Sequence, residues 1–242
     1  MLIEPAALDL PVTRRILSRL TGVRPEIIET RVRPDPPRGD PGGVYIAAKR
    51  TLIVGLHPNR PFRSCRPSAD FELPLGASCP GLCQYCYLQS TLGARPYVRV
   101  YADLEAILAD VAREAEAASG PVSFEAASTS DPVGVEHLTG ALADVITFFG
   151  RQERAQLRLV TKFGYTGGLI GLDHGGRTRI RFSLNTPHVV GSYEAGTDPV
   201  RERIAAANRL GLSGYPIGFV LAPLLRSEER RGGKECRYRW SP

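Results

Sequence analysis

The stretch Ala77-Ser78-Cys79-Pro80-Gly81-Leu82-Cys83-Gln84-Tyr85-Cys86-Tyr87-Leu88 sets three cysteines at CxxxCxxC spacing. Thiolates hold iron–sulfur clusters, and a [4Fe-4S] cube ligated entirely by protein takes four of them, so a compact set of three leaves one iron open to a substrate or cofactor. A zinc knuckle on Cys83 and Cys86 is the alternative, but it needs a second close pair of ligands and none follows. A disulfide framework fits less well, because five cysteines in 242 residues are few and odd in number.

Working outward, residues 71–75 read as a strand that delivers the chain to this loop, and residues 51–56 as an earlier one. Downstream the pattern alternates. Asp103 is placed to cap a helix with Leu104, Ile107, Leu108, Val111 and Ala115 on one face, stopped by Gly120 and Pro121. A strand at 122–126 leads to a helix carrying Leu138, Leu142, Val145, Ile146 and Phe149 and ending at Gly150. Strands at 157–162 and 178–184 flank a Gly-rich turn and a short helical piece near Leu169. Asp198 as cap and Pro199 in the first turn start a helix that runs through Ile204 and Leu210 and closes at Gly211, before a strand at 215–221. Towards the N-terminus, Val12, Ile16, Leu17, Leu20 and Val23 predict a helix, and the Pro/Gly-rich run 33–43 a loop.

Strand and helix in alternation argue for an α/β protein with a parallel sheet, open or curled into a barrel. In Arg179-Ile180-Arg181-Phe182-Ser183-Leu184 apolar and polar residues alternate, whereas a strand buried on both faces is apolar throughout. That favours a curled sheet with one face on a wet cavity. Ser128, Ser130, Lys162, Ser183 and Ala222 fall at the C-terminal ends of strands, where barrel enzymes carry active sites; a loop residue in solvent is the alternative for any one of them.

The net charge of +6 invites a nucleic-acid partner, but half of it sits in the last seventeen residues. No apolar run approaches the roughly 20 residues of a membrane span. The opening Met1-Leu2-Ile3-Glu4-Pro5 lacks a signal-peptide pattern, so a cytoplasmic protein is expected. His57, His137, His174 and His188 include no pair at metal-ligand spacing.

Several segments then carry a specific likeness. Residues 83–93, Cys-Gln-Tyr-Cys-Tyr-Leu-Gln-Ser-Thr-Leu-Gly, with Arg95-Pro96-Tyr97-Val98-Arg99-Val100-Tyr101, resemble the spore photoproduct lyases of the radical S-adenosylmethionine (SAM) superfamily. So do Phe124-Glu125-Ala126-Ala127-Ser128-Thr129-Ser130-Asp131, Val160-Thr161-Lys162, Arg181-Phe182-Ser183-Leu184-Asn185 and Gly218-Phe219-Val220-Leu221-Ala222-Pro223. The resemblance implies a partial TIM-type (β/α)6 barrel that reverses a methylene-bridged thymine dimer in DNA. It implies a [4Fe-4S] cluster on Cys79, Cys83 and Cys86, whose open iron binds SAM and yields a 5'-deoxyadenosyl radical. Ser130, Lys162, Ser183 and Ala222 match positions that contact SAM. Tyr85 and Tyr87 match a pair that relays hydrogen, with packing around the cluster as the alternative use of both rings. The partners implied are lesion-bearing DNA and an electron donor such as flavodoxin or ferredoxin, with the protein a monomer.

Two departures stand out. The family's hydrogen-donor cysteine in segment 124–131 is here Ser128, and a serine O–H is too strong to surrender a hydrogen atom to a carbon radical. Cys65 is the candidate substitute, an inert thiol its alternative use, and a different substrate a third way to read the change. From about Arg226 the composition also shifts, and family members continue further with a last barrel strand and a lesion-holding hairpin. The expected organisation is therefore an N-terminal extension at 1–50, a barrel lacking its last strand at 51–225, and a non-native tail at 226–242 that includes Cys236 and Trp240. A basic arm on phosphates is the other reading of that tail.

Overall fold

The structure, a computed structural model, describes residues 1–29, 35, 38–58, 61–93, 95–126 and 128–224. The tail at 226–242 and much of the loop at 33–43 lie outside the described residues. In chain order the elements are β1 (Leu2–Ile3), α1 (Pro11–Arg19), β2 (Glu26–Ile27), α2 (Pro41–Lys49), β3 (Leu52–Gly55), β4 (Phe71–Glu72), β5 (Gly76–Ala77) and β6 (Leu82–Cys83). There follow α3 (Leu88–Leu92), β7 (Val98–Tyr101), α4 (Leu104–Ala117), β8 (Val122–Glu125), α5 (Val133–Thr139), α6 (Ala141–Gly150) and β9 (Ala155–Thr161). The last are β10 (Thr178–Leu184), α7 (Pro187–Tyr193), β11 (Glu194–Ala195), α8 (Val200–Leu212) and β12 (Ile217–Leu221).

Two five-stranded arcs, β2-β1-β3-β7-β5 and β12-β10-β9-β8-β4, make a mixed α/β partial barrel. Their pairings are parallel except β5 with β7. The arcs meet where Ser78, just past β5, bridges Ser130, just past β8, and donates its N–H to Thr129 O at 2.8 Å. The N-terminal residues belong to the first arc, with Leu2 opposite Ile53 and Ile3 opposite Val54, so a sheet spans the boundary drawn at residue 50.

The alternation in β10 has a physical cause. Phe124, Leu157, Leu159, Ile180 and Phe182 point to the helix side and are buried with Ile107 and Val111 of α4, Leu142, Val145, Ile146 and Phe149 of α6, and Ala206, Ala207 and Leu210 of α8. Burial of each large side chain contributes about 1.5–3 kcal/mol. Glu125, Arg158, Arg181 and Ser183 occupy the alternate positions of the same strands. That face gathers the polar groups of the site.

Local chemistry shifts several predicted elements. The expected helix through Leu138 and Phe149 is two, because Gly140 at φ 59° closes α5 in a left-handed turn. Buried Glu136 then accepts from Leu142 N at 2.9 Å and Ala143 N at 3.0 Å, capping α6. Asp103 stands at the N-cap position of α4, but its carboxylate accepts from His57 N at 2.9 Å rather than bonding the first turn, and Asp198 accepts from Gly164 N at 2.6 Å while α8 starts after Pro199. α1 stops at Arg19, short of the predicted Val23. Residues 71–75 are not one strand: β4 ends before Pro74, which has no N–H to give, and β5 begins after it. Near Leu169 there is a turn, closed by Leu169 N on Thr166 O at 3.0 Å. The end of the Pro/Gly-rich run is helical, since Asp40 accepts from Gly42 N and Gly43 N at 3.0 Å and starts α2.

Candidate functional site

The cysteine loop begins at Ser78, whose φ of 63° swings the chain away from the bridge to Ser130. Lys49, at the end of α2, donates to Ser78 Oγ at 3.1 Å and to Cys79 O at 2.6 Å. On its far side the loop is held by β6 against β11, with Cys83 opposite Glu194. Gly81 is bare backbone against this surface; a Cβ there would lie 3.0 Å from Thr197 Cγ2 and 3.6 Å from Cys79 Sγ.

Cys79, Cys83 and Cys86 are free thiols. Burial pushes Cys79 up to about 11 against the charge of Lys49, and Cys83 up to about 12 against that of Lys162. The Tyr45 phenol faces all three; burial first, then Cys86, Cys79 and Cys83, push it up to about 12. Among the described residues no three His, Cys, Asp or Glu side chains converge as they would on a single ion. A cubane asks for something wider, one thiolate on each of three separate irons. Three thiols around one loop, flanked by two ammonium groups, fit that donor set, and a bound metal cluster supplies the charge that turns such thiols into thiolates.

Beside Cys83 lies a buried polar cluster. Lys162, just past β9, places Nζ 2.6 Å from Ser183 Oγ and 3.1 Å from Glu194 Oε1, with the Tyr85 ring centroid 5.5 Å away. Tyr85 donates to Glu194 Oε1, and Arg203 Nη2 lies 2.6 Å from Glu194 Oε2. Arg203 is wholly buried and also reaches Asp198 O, Ser183 O and Thr197 Oγ1, each at 2.8 Å. Burial acts to raise the Glu194 carboxyl, yet the bonds from Tyr85 and Arg203 and the charge of Lys162 hold it below its ordinary value. Asp131 accepts from Thr161 Oγ1 at 2.8 Å and Lys162 N at 2.9 Å; burial outweighs these bonds and pushes its carboxyl up to about 6.

A second group lies beyond Cys86. Tyr87 donates to Ser128 O, and its phenol is pushed up by burial and then by Cys86, Glu72 and Cys65. The Ser128 hydroxyl is buried and lies beside the Cys65 thiol, within reach of it as a hydrogen-bond donor. Burial, then Glu125 and Glu72, push Cys65 up, with Arg181 and Ser128 opposing. Arg181 pairs with Glu125, which accepts from Ser68 Oγ at 2.8 Å, and Arg158 donates to Ser68 O at 2.8 Å. A cavity of about 570 Å³, lined in part by Tyr87, Thr129, Glu72, Arg63 and Tyr101, opens next to Tyr87.

The residues expected from sequence therefore fall into two neighbouring groups. Lys162, Ser183 and Tyr85 come together with Cys83, and Ala222 joins them through its carbonyl, 3.5 Å from Ser183 Oγ. Ser130 stands at the bridge to Ser78, and Tyr87 and Ser128 form the second group with Cys65. Sequence reading missed Glu194, Arg203, Asp131, Lys49 and Tyr45. Arg203 alone left a signal, one turn before Ala206, Ala207 and Leu210 on the buried stripe of α8.

Comparison with known proteins bears on the family and the fold. A family model described as Spore photoproduct lyase matches residues 1–237, a span that takes in most of the segment at 226–242. The spore photoproduct lyase of a Geobacillus species is 40% identical over 230 residues, 93% of this chain and 67% of that protein. The Bacillus subtilis protein of the same name is 39% identical over 227 residues, 92% of this chain and 66% of its own length. A solved spore photoproduct lyase complexed with dinucleoside spore photoproduct superposes with a TM-score of 0.88 at 39% identity, over 94% of this chain and 68% of that one. A double mutant with bound AdoMet and the same dinucleoside gives the same TM-score. The chain thus spans about two thirds of the length of these relatives, and with a match across nearly its entire sequence it belongs to the spore photoproduct lyase family.

Proposed function

We propose that this chain is the radical-forming and quenching part of a SAM-dependent carbon–carbon lyase that returns the spore photoproduct in DNA to two thymines. The observation that carries this reading is Lys162. Its ammonium, 2.6 Å from Ser183 Oγ, stands next to a three-thiol loop and over the Tyr85 ring, and the buried trio of Lys162, Glu194 and Arg203 retains one positive charge for an anionic ligand. A carboxylate, such as that of SAM, is the ligand such a site takes.

Cys79, Cys83 and Cys86 would hold a [4Fe-4S] cluster. Together with SAM it supplies a carbon radical. Lys162 and Ser183 bind the SAM carboxylate, while Ser130 and the Ala222 carbonyl offer further polar contacts at adjoining strand ends. Tyr85 is fixed by Glu194, and Tyr87 by the Ser128 carbonyl, so both phenols are held in place beside the cysteine loop. Ser128 lacks a transferable hydrogen atom. Cys65 lies beside it, and the environment that raises its pKa keeps the S–H intact, the form able to donate a hydrogen atom to the product radical. The substrate enters from DNA with the lesion displaced from the stack, and the electron comes from a flavodoxin- or ferredoxin-type donor. Among the described residues no helix is long and apolar enough to cross a membrane. A cytoplasmic monomer, with the segment at 226–242 outside the barrel, completes the proposal.

Anaerobic reconstitution with iron, sulfide, SAM and dithionite tests the reading. Formation of 5'-deoxyadenosine, and of thymines from the dinucleoside photoproduct, is the expected result. Iron uptake without SAM cleavage would reduce the protein to a cluster-bearing binding module.

A further inference from the structure

The two lysines that flank the cysteine loop are in different electrostatic positions. Lys162 has a carboxylate, Glu194, at 3.1 Å, and Glu194 in turn has Arg203 at 2.6 Å. Lys49 is 5% exposed and its partners among the described residues are neutral: the Ser78 hydroxyl at 3.1 Å, the Cys79 carbonyl at 2.6 Å and the Tyr45 ring, whose centroid is 5.8 Å from Nζ. Among the described residues no carboxylate lies within ion-pair distance of it. Ser78 donates its own proton to Pro96 O at 3.0 Å, which leaves its oxygen to accept from Lys49. The ammonium is thus aimed at the start of the cysteine loop by a fixed set of acceptors.

A buried ammonium is retained only where an opposite charge or full hydrogen bonding compensates for lost hydration. Two neutral acceptors and a ring face leave it under-compensated. The missing negative charge is at hand once the three thiols are thiolates on a cluster, because three thiolates outweigh the charge of an oxidised [4Fe-4S] core. Reduction by one electron makes that group more negative still, and a nearby cation favours the reduced form.

We propose that Lys49 is the buried counter-charge of the cluster, a positioning residue that fixes the Cys79 end of the loop and raises the cluster's reduction potential. The proposal rests on the cluster reading above. Its redox step adds one electron from an external low-potential reductant, dithionite in the test, and breaks no bond.

The experiment is a potentiometric titration of the iron- and sulfide-reconstituted protein, followed by the electron paramagnetic resonance signal of the reduced cluster. Lys49→Met is expected to lower the reduced-to-oxidised ratio at a fixed potential about tenfold, which is about 59 mV for a one-electron couple. Lys49→Arg, which keeps the charge, is expected to titrate with wild type. Lys49→Gln, able to hydrogen-bond the Cys79 carbonyl but neutral, serves if Lys49→Met folds poorly, and is expected to shift in the same direction. A neutral variant that titrates with wild type while holding the same iron overturns the proposal alone. So does an arginine variant displaced as far as the neutral ones, since the effect would then be packing and not charge. Wild-type protein that takes up no iron overturns the cluster reading and this proposal with it.

Discussion

The two halves of the site differ in how their charges are balanced. Around Lys162, every group has a partner: Glu194 bonds Tyr85, Lys162 and Arg203, and Arg203 is further tied to Asp198 O, Ser183 O and Thr197 Oγ1. Around Cys65, Glu125 Oε1 and Arg181 Nε are buried with no hydrogen-bond partner among the described residues. A fully satisfied network fixes one geometry, as ligand positioning requires; a partly satisfied one leaves polar atoms ready for a substrate. Under the function proposed above, the satisfied half is the side that would hold the cofactor and the other the side that would meet the lesion.

The comparison can be broken at either end. The largest effect is expected from Glu194→Ala, which leaves Arg203 buried without its counter-charge and should cost about 3–5 kcal/mol in chemical denaturation. An unchanged denaturation midpoint would mean that the network does not organise this half.

Asp131 comes next. Its folded pKa, about 6, lies above the ordinary carboxylate value, so its contribution is fully present below about pH 4 and is lost as the pH rises through about 6. Between those limits the apoprotein should lose on the order of 2–3 kcal/mol relative to Asp131→Asn, read from paired thermal melts across the range. Parallel pH profiles for the two proteins would show that Asp131 ionises normally.

On the other side, Ser68→Ala removes the hydroxyl that bonds Glu125 and should cost about 1 kcal/mol, the smallest effect of the set. Its sharper readout is Cys65: with Glu125 freed of that bond, the thiol is expected to react more slowly with an alkylating probe at neutral pH. A loss as large as that of Glu194→Ala would erase the distinction between the halves.

How much of this was legible in the sequence follows the same division. Lys162, Ser183 and Ala222 were found because strand ends in a curled parallel sheet converge, and the convergence is real, 2.6 Å and 3.5 Å between successive members. The helix faces of α4 and α6 were equally readable, since their apolar stripes are what the sheet buries, whereas on α8 Leu210 is buried but the expected Ile204 is exposed. Glu194 was not, because it sits in a run of glycine, serine and tyrosine that looks like an ordinary loop and meets Tyr85 across 109 residues. Lys49 reads as a basic residue closing a helix, a place where lysine is favoured for the dipole alone. Asp103 holds the cap position expected of it and Asp198 does not, but both carboxylates bond loop N–H groups, at His57 and Gly164, and nothing local announces those partners. Gly140 could have signalled the break between α5 and α6, but a glycine inside an apolar repeat is also tolerated in a continuous helix.

The central claim is that Cys65, and not Ser128, returns the hydrogen atom. A thiol proton exchanges with solvent, so repair run in D2O should place one deuterium in the recovered thymine. Mass spectrometry of that product is the direct test. Wild type is expected to give labelled thymine, and Cys65→Ala to form 5'-deoxyadenosine while losing clean, labelled product; Ser128→Cys in that background should restore both. Labelled thymine formed by Cys65→Ala at the wild-type level would contradict the account.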